Sequence, residues 1–228
     1  MKSNFWFLTY ALVGLAVVGL SMYQWDYPLI YGALKGALMP LLIGFVLSNM
    51  RQMKCYLTVV LALIFSWVGD ILLLFADTEP YFVLGLAAFL IAQISYFIGY
   101  TKAMDKNFEP LIIRKYPLLI PLLAAIPMVL LRVLNPYLGD LLLPVILYSG
   151  ALLIMTTGAV SRYGKTSLQS FLLVTVGAFV FLLSDSLIAL DRFMNNIPFS
   201  PILVMSTYIL AQGLIVRGLW KHGLGAVR

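Results

Sequence analysis

Residues 56–76 read YLTVVLALIFSWVGDILLLFA, a run in which Asp70 is the sole charged side chain. At about 1.5 Å per residue, a helix of this length covers the roughly 30 Å hydrocarbon core of a bilayer. No apolar–polar alternation of period two appears in it, so it does not read as a strand of an outer-membrane barrel. An aspartate inside such a helix costs about 2.5–3.5 kcal/mol on insertion scales. The stretch therefore predicts a membrane helix and a buried acid whose presence needs a reason.

The same composition runs through the chain. Of 228 residues 62% are hydrophobic and 11% charged, with a mean hydropathy of +1.00; a soluble domain has about 45–50% apolar and about 25% charged residues. A water-soluble protein is excluded, and residues 1–228 read as one transmembrane domain. Windows of about nineteen residues predict helices at 5–24, 28–47, 56–76, 81–101, 117–134, 138–160, 168–190 and 199–220. The expected fold class is all-α, a polytopic bundle of eight transmembrane helices. Pro117, Pro121 and Pro127 make the fifth the least regular, since each removes a backbone donor. Lys2 precedes the first run, but residues 19–23 form a poor cleavage site, so the run reads as a helix rather than a leader. Cys55 is the single cysteine and His222 the single histidine. An internal disulfide and a multi-histidine zinc site are thereby ruled out, and neither a metal nor a cofactor is expected.

Eight crossings put both termini on one side, and the basic residues sort accordingly. Lys2, Arg51, Lys54, Lys102, Lys106, Arg114, Lys115, Arg162, Lys165, Arg217, Lys221 and Arg228 fall on the terminal side, Arg132 and Arg192 on the other, and Lys35 within a span. By the positive-inside rule both termini are cytoplasmic and the protein resides in the inner or plasma membrane. Topology and attraction to anionic headgroups explain the net charge of +6, so membrane lipids are the expected surroundings. No nucleic acid is implied, and no protein partner is evident.

The acids sort as sharply. Asp26, Asp77, Glu79, Asp140 and Asp191 sit at outer helix ends, and Asp105 and Glu109 in a cytoplasmic loop, leaving Asp70 and Asp185 inside helices with Lys35. Each of these three lies six or seven residues from the outer end of its helix, roughly 9–11 Å deep. They predict one polar pocket somewhat outside the midplane. Ser66 shares a face with Asp70 at i−4, Tyr31 with Lys35 at i−4, Gln93 with Tyr96 at i,i+3, and Tyr208 with Gln212 at i,i+4. Gly32, Gly36, Gly69 and Gly177 would let these helices approach closely. A weak internal repeat adds to the pattern: residues 69–74, GDILLL, followed by Ala92-Gln93, echo residues 184–189, SDSLIA, followed by Ala211-Gln212. A 4+4 arrangement of this kind would turn both aspartates toward a shared centre.

One aspartate kept protonated, with the other kept ionised by Lys35, would provide an acid and a base. A serine–histidine or cysteine–histidine nucleophile is not available, because His222 lies in the tail. Lys35 followed by Met39-Pro40, Ser66-x-x-Gly69-Asp70, Gln93-x-x-Tyr96, Ser184-Asp185 and Tyr208 together resemble the YhhN-like, lysoplasmalogenase-like membrane family over roughly residues 5–220. Gly36 and Gln93 depart from the proline and histidine common there. The resemblance implies hydrolysis of the vinyl ether of a lysophospholipid or other single-chain amphiphile, with Asp70 and Asp185 catalytic. Lys35 would hold an aspartate ionised or bind the phosphate, and Ser66, Gln93, Tyr96, Ser184, Tyr208 and Gln212 would position water or headgroup. The alternative reading of the same carboxylates is a proton-coupled small-molecule or lipid transporter.

Overall fold

A computed structural model describes residues 2–104, 112–194 and 197–226. Every element among these residues is helical: α1 (Lys2–Leu20), α2 (Pro28–Asn49), α3 (Tyr56–Leu73), α4 (Glu79–Lys102), α5 (Ile112–Lys115), α6 (Leu119–Leu138), α7 (Leu142–Val160), α8 (Leu168–Met194) and α9 (Ser200–Ala226). Lys106, Asp105, Glu109 and Arg228, used above to sort the charges, lie outside the described residues, as do the side chains of Lys2 and Arg114.

Seven stretches among the described residues are long and apolar enough to cross a membrane. One of them, Leu119–Val160, contains 42 residues, about 63 Å if it were one straight helix. It is instead broken: Gly139 takes φ +49 inside a short 3-10 turn, Gly139–Leu141, between α6 and α7. Glycine adopts this backbone without the strain a β-carbon would bring. Leu134, Leu138 and Val145 then pack together in a small satellite core. The boundary predicted at 134–138 therefore moves to 139–141. Pro127 and Pro136 sit inside α6, and Pro121 falls in its first turn, where the missing N–H has no intrahelical partner to lose.

Other limits shift by a few residues. The third helix ends at Leu73 rather than 76, because turn hydrogen bonds at Leu74, Phe75 and Ala76 replace helical ones. Helix α8, the seventh predicted span, runs to Met194 rather than 190, which puts Asp191 and Arg192 in its last turn. The N-terminal part of α1 packs beside the C-terminal part of α9 through Phe7, Phe45 and Trp220, with ring centroids 5.7 and 5.5 Å apart. Trp6 and Trp220, both partly buried, pack against the core, and Trp6 covers Gly44.

The most extensive helix contacts join α8 to α9 and α3 to α4. A β-carbon at Gly177 would lie 3.1 Å from both the Ala211 carbonyl oxygen and the Ile215 nitrogen, and one at Gly69 would lie 2.6 Å from the Phe89 ring. At Gly32 and Gly36 the nearest atoms would be 3.5 and 3.4 Å away, ordinary contacts. The close approach expected of four glycines rests on two of them.

Arg162, expected in a cytoplasmic loop, is wholly buried. Its Nη2 donates to Ser170 Oγ at 2.7 Å, Ser170 donates to the Gly218 carbonyl at 2.7 Å, and Nη1 reaches the Tyr100 carbonyl at 3.4 Å. It clasps α4, α8 and α9 at the terminal end of the bundle. Desolvation pushes its guanidinium down to about 10 and the neighbouring Cys55 thiol up.

Candidate functional site

Two tyrosine–carboxylate pairs occupy the interior. In the first, Tyr208 on α9 donates to Asp70 Oδ2 on α3 at 2.8 Å. Gln212, one turn further along α9, donates through Nε2 to Ser66 Oγ at 3.1 Å and to Tyr208 Oη at 3.4 Å. Tyr96 on α4 donates to Gln212 Oε1 at 2.5 Å. Every one of these side chains is buried, and the Tyr208, Tyr96 and Gln212 donors each meet an acceptor, as the low dielectric requires. The i−4 and i+4 spacings do the local work, stacking Ser66 under Asp70 and Gln212 above Tyr208.

In the second, Tyr148 on α7 donates to Asp185 Oδ2 on α8 at 2.5 Å. Gln93 on α4 donates through Nε2 to the same carboxylate oxygen at 3.2 Å and to Tyr148 Oη at 2.9 Å. Its Oε1 is buried and has no hydrogen-bond partner. Phe89, Phe181 and Tyr208 meet edge to face, with centroids 5.8–6.4 Å apart, and so join the two pairs across an apolar partition.

The predicted pocket is therefore brought together in two parts. Lys35 makes no hydrogen bond to either aspartate among the described residues. Ser184 turns toward α9, where its Oγ donates to the Val204 carbonyl at 3.2 Å. Tyr148 escaped sequence reasoning. Its signal was present as the polar pair Tyr148-Ser149 within the otherwise apolar residues 142–154, but only the fold points it at Asp185.

A narrow cavity of about 40 Å³ reaches Asp185 and Tyr148, with apolar walls from Leu86, Phe89, Leu130 and Leu152. Leu73, Phe82 and Ile188 form a threshold shared with a second cavity of about 220 Å³ that holds Lys35 and Arg192. Lys35 and Tyr31 also line a third, about 420 Å³, toward Trp25 and Asp77. Among the described residues no cluster of histidine, cysteine, aspartate or glutamate has the geometry to hold a metal ion.

Long apolar helices enclosing tyrosine-bound aspartates define an integral membrane protein with a buried acid site. Residues 30–219 match the YhhN family, and the chain belongs to it. It is 29% identical to lysoplasmalogenase TMEM86A of Homo sapiens over 184 residues, 76% of this chain and 68% of the relative. With lysoplasmalogenase TMEM86B of Sus scrofa it shares 35% identity over 156 residues, 68% of this chain and 59% of that relative. No solved structure matches the chain.

Proposed function

We propose that the chain is a membrane-embedded hydrolase that cleaves the vinyl ether of a lysoplasmalogen, giving a fatty aldehyde and a glycerophospho-headgroup compound. The observation that carries this reading is that Asp185 lines an apolar slot whose wall residues Leu73, Phe82 and Ile188 also line a second cavity with Lys35 and Arg192. A single-chain ether lipid offers a partner for each part: an alkyl chain for the apolar walls, an alkenyl ether for the acid and a phosphodiester for the cations. In the described conformation the slot has room for water, and a chain entering it displaces the lining side chains. The names of the relatives support the same substrate class.

The chemistry needs an acid, a base and water. Asp185, carrying a proton, delivers it to the alkenyl carbon one bond beyond the ether-bearing carbon, and the ether oxygen stabilises the resulting oxocarbenium ion. Water attacks the cationic carbon as Asp185, now a carboxylate, takes up its proton. The hemiacetal collapses to aldehyde and alcohol, so one water is consumed and protons balance. Gln93, through Nε2, holds the Asp185 Oδ2 oxygen in place. Tyr148 fixes the carboxyl rotamer. Asp70, held by Tyr208, supplies negative charge behind the aromatic partition, where it favours the cation.

The reading includes eight crossings, with α6 and α7 as separate spans, a 4+4 relation of the halves, and both termini cytoplasmic. A cysteine placed at Asp26 or Asp77 then reacts with an impermeant label from outside intact cells, while one placed at Lys165 does not. Purified protein incubated with lysoplasmenylethanolamine or lysoplasmenylcholine is expected to release aldehyde. Absence of aldehyde together with substrate-driven proton uptake in liposomes would overturn the hydrolase in favour of a proton-coupled transporter.

A further inference from the structure

The cavity outside the threshold has an unusual charge balance for a membrane helix bundle. Lys35 from α2 and Arg192 from the last turn of α8 both line it, with Gln24, Tyr31, Asp191 and Ser200. Arg192 lies over the Phe82 ring at 5.1 Å, which holds its guanidinium at the threshold. Neither cation closes an ion pair with a carboxylate among the described residues. Ser200, the first residue of α9, is 3% exposed and lines the same space, with its N–H donating to the Ile197 carbonyl at 3.2 Å. Two cations line the cavity beside one acid, Asp191. That set suits an anion carrying a cation one short linker away better than it suits a free dianion, which Asp191 would repel.

We infer that Lys35 and Arg192 bind the phosphodiester of a zwitterionic headgroup, with Asp191 toward its ammonium, and that this mouth selects phosphate-bearing ethers over phosphate-free ones. The inference rests on the hydrolase reading for the fate of the lipid but not for its binding. Arg192 supplies a planar fork and Lys35 a point charge. Each contact to the phosphate is a charge-assisted bond in a partly desolvated cavity, and loss of one is expected to cost about tenfold or more in affinity.

The experiment uses the full chain in detergent and two saturated ether lipids that cannot be hydrolysed, 1-O-alkyl-glycerophosphoethanolamine and 1-O-alkylglycerol of equal chain length. Titration calorimetry is expected to show the phospholipid binding at least about tenfold more tightly. Arg192→Gln and Lys35→Gln should each reduce the ratio of the two affinities about tenfold, and Arg192→Lys should restore much of it. A wild-type ratio near one, or a ratio that neither glutamine variant moves, overturns the inference. Inorganic phosphate is the third probe: competition against both lipids at similar concentrations would make this a free-phosphate site and overturn the headgroup assignment. Cleavage of the alkenyl counterparts is followed in parallel. An intact binding ratio without aldehyde release would refute the hydrolase reading and leave the headgroup site standing; aldehyde release with a ratio near one would do the reverse.

Discussion

Asp70 and Asp185 sit in similar sequence, Gly69-Asp70 and Ser184-Asp185, and each accepts a tyrosine hydroxyl, yet their surroundings differ. Around Asp70 the amide is fully used: Gln212 donates to Ser66 and Tyr208 and accepts from Tyr96, while Tyr208 donates to Asp70. Around Asp185 it is not, leaving Gln93 Oε1 unpaired and the carboxylate facing a cavity. A closed network holds a charge in place, whereas an open one leaves bonding capacity for something that comes and goes. The contrast teaches that likeness of motif need not mean likeness of role, and that in the proposed reaction Asp185 meets the substrate while Asp70 acts from behind.

The contrast breaks most directly at the carboxylates. Asp185→Asn should lower kcat for aldehyde release by about 10³-fold or more, since it removes the proton donor, while Asp70→Asn should cost about 10–100-fold. Equal losses in the two variants would show that the acids share one role. The hydroxyls come next. Tyr148→Phe is expected to lower kcat about tenfold with little change in KM, because the Asp185 rotamer loosens; Tyr208→Phe should act mainly on stability, lowering it by about 1–3 kcal/mol as buried partners go unpaired. A thermal melt in detergent alongside steady-state kinetics separates these outcomes.

Packing provides the smaller effects. Gly177→Ala drives a β-carbon against α9 backbone and should destabilise by about 1–3 kcal/mol. Gly69→Ala meets the Phe89 ring instead, so it should also narrow the cavity at Asp185 and lower kcat more than its melting temperature suggests. Gly32→Ala and Gly36→Ala, with ordinary contacts, should change the melting temperature by no more than a degree or two, about 0.5 kcal/mol.

Much of this was legible before any fold was known. The hydropathy of 56–76 and its counterparts marked the helical class and most helix ends, because a bilayer demands long apolar runs with their backbone bonded internally. The same demand made Asp70, Asp185 and Lys35 conspicuous, and i±4 spacing paired Ser66 with Asp70 and Tyr208 with Gln212. Local spacing could not say which helix faces which. Tyr148 looked like any polar residue of an apolar helix until α7 was set beside α8, and Arg162 looked like a loop charge until α4, α8 and α9 closed around it. The break at Gly139 was displaced because hydropathy is continuous across it and only backbone conformation marks the turn.

The sequence by itself determined that this chain belongs in a membrane, is helical throughout its apolar runs and hides two acids and an amine. These follow from transfer free energy, which is additive along the chain. Tertiary structure alone decided that the two acids have different partners, that one faces a cavity, and that Lys35 and Arg192 share the mouth outside it. Such pairings are contacts between residues far apart in the chain, created by the order in which helices pack, and no local period encodes them.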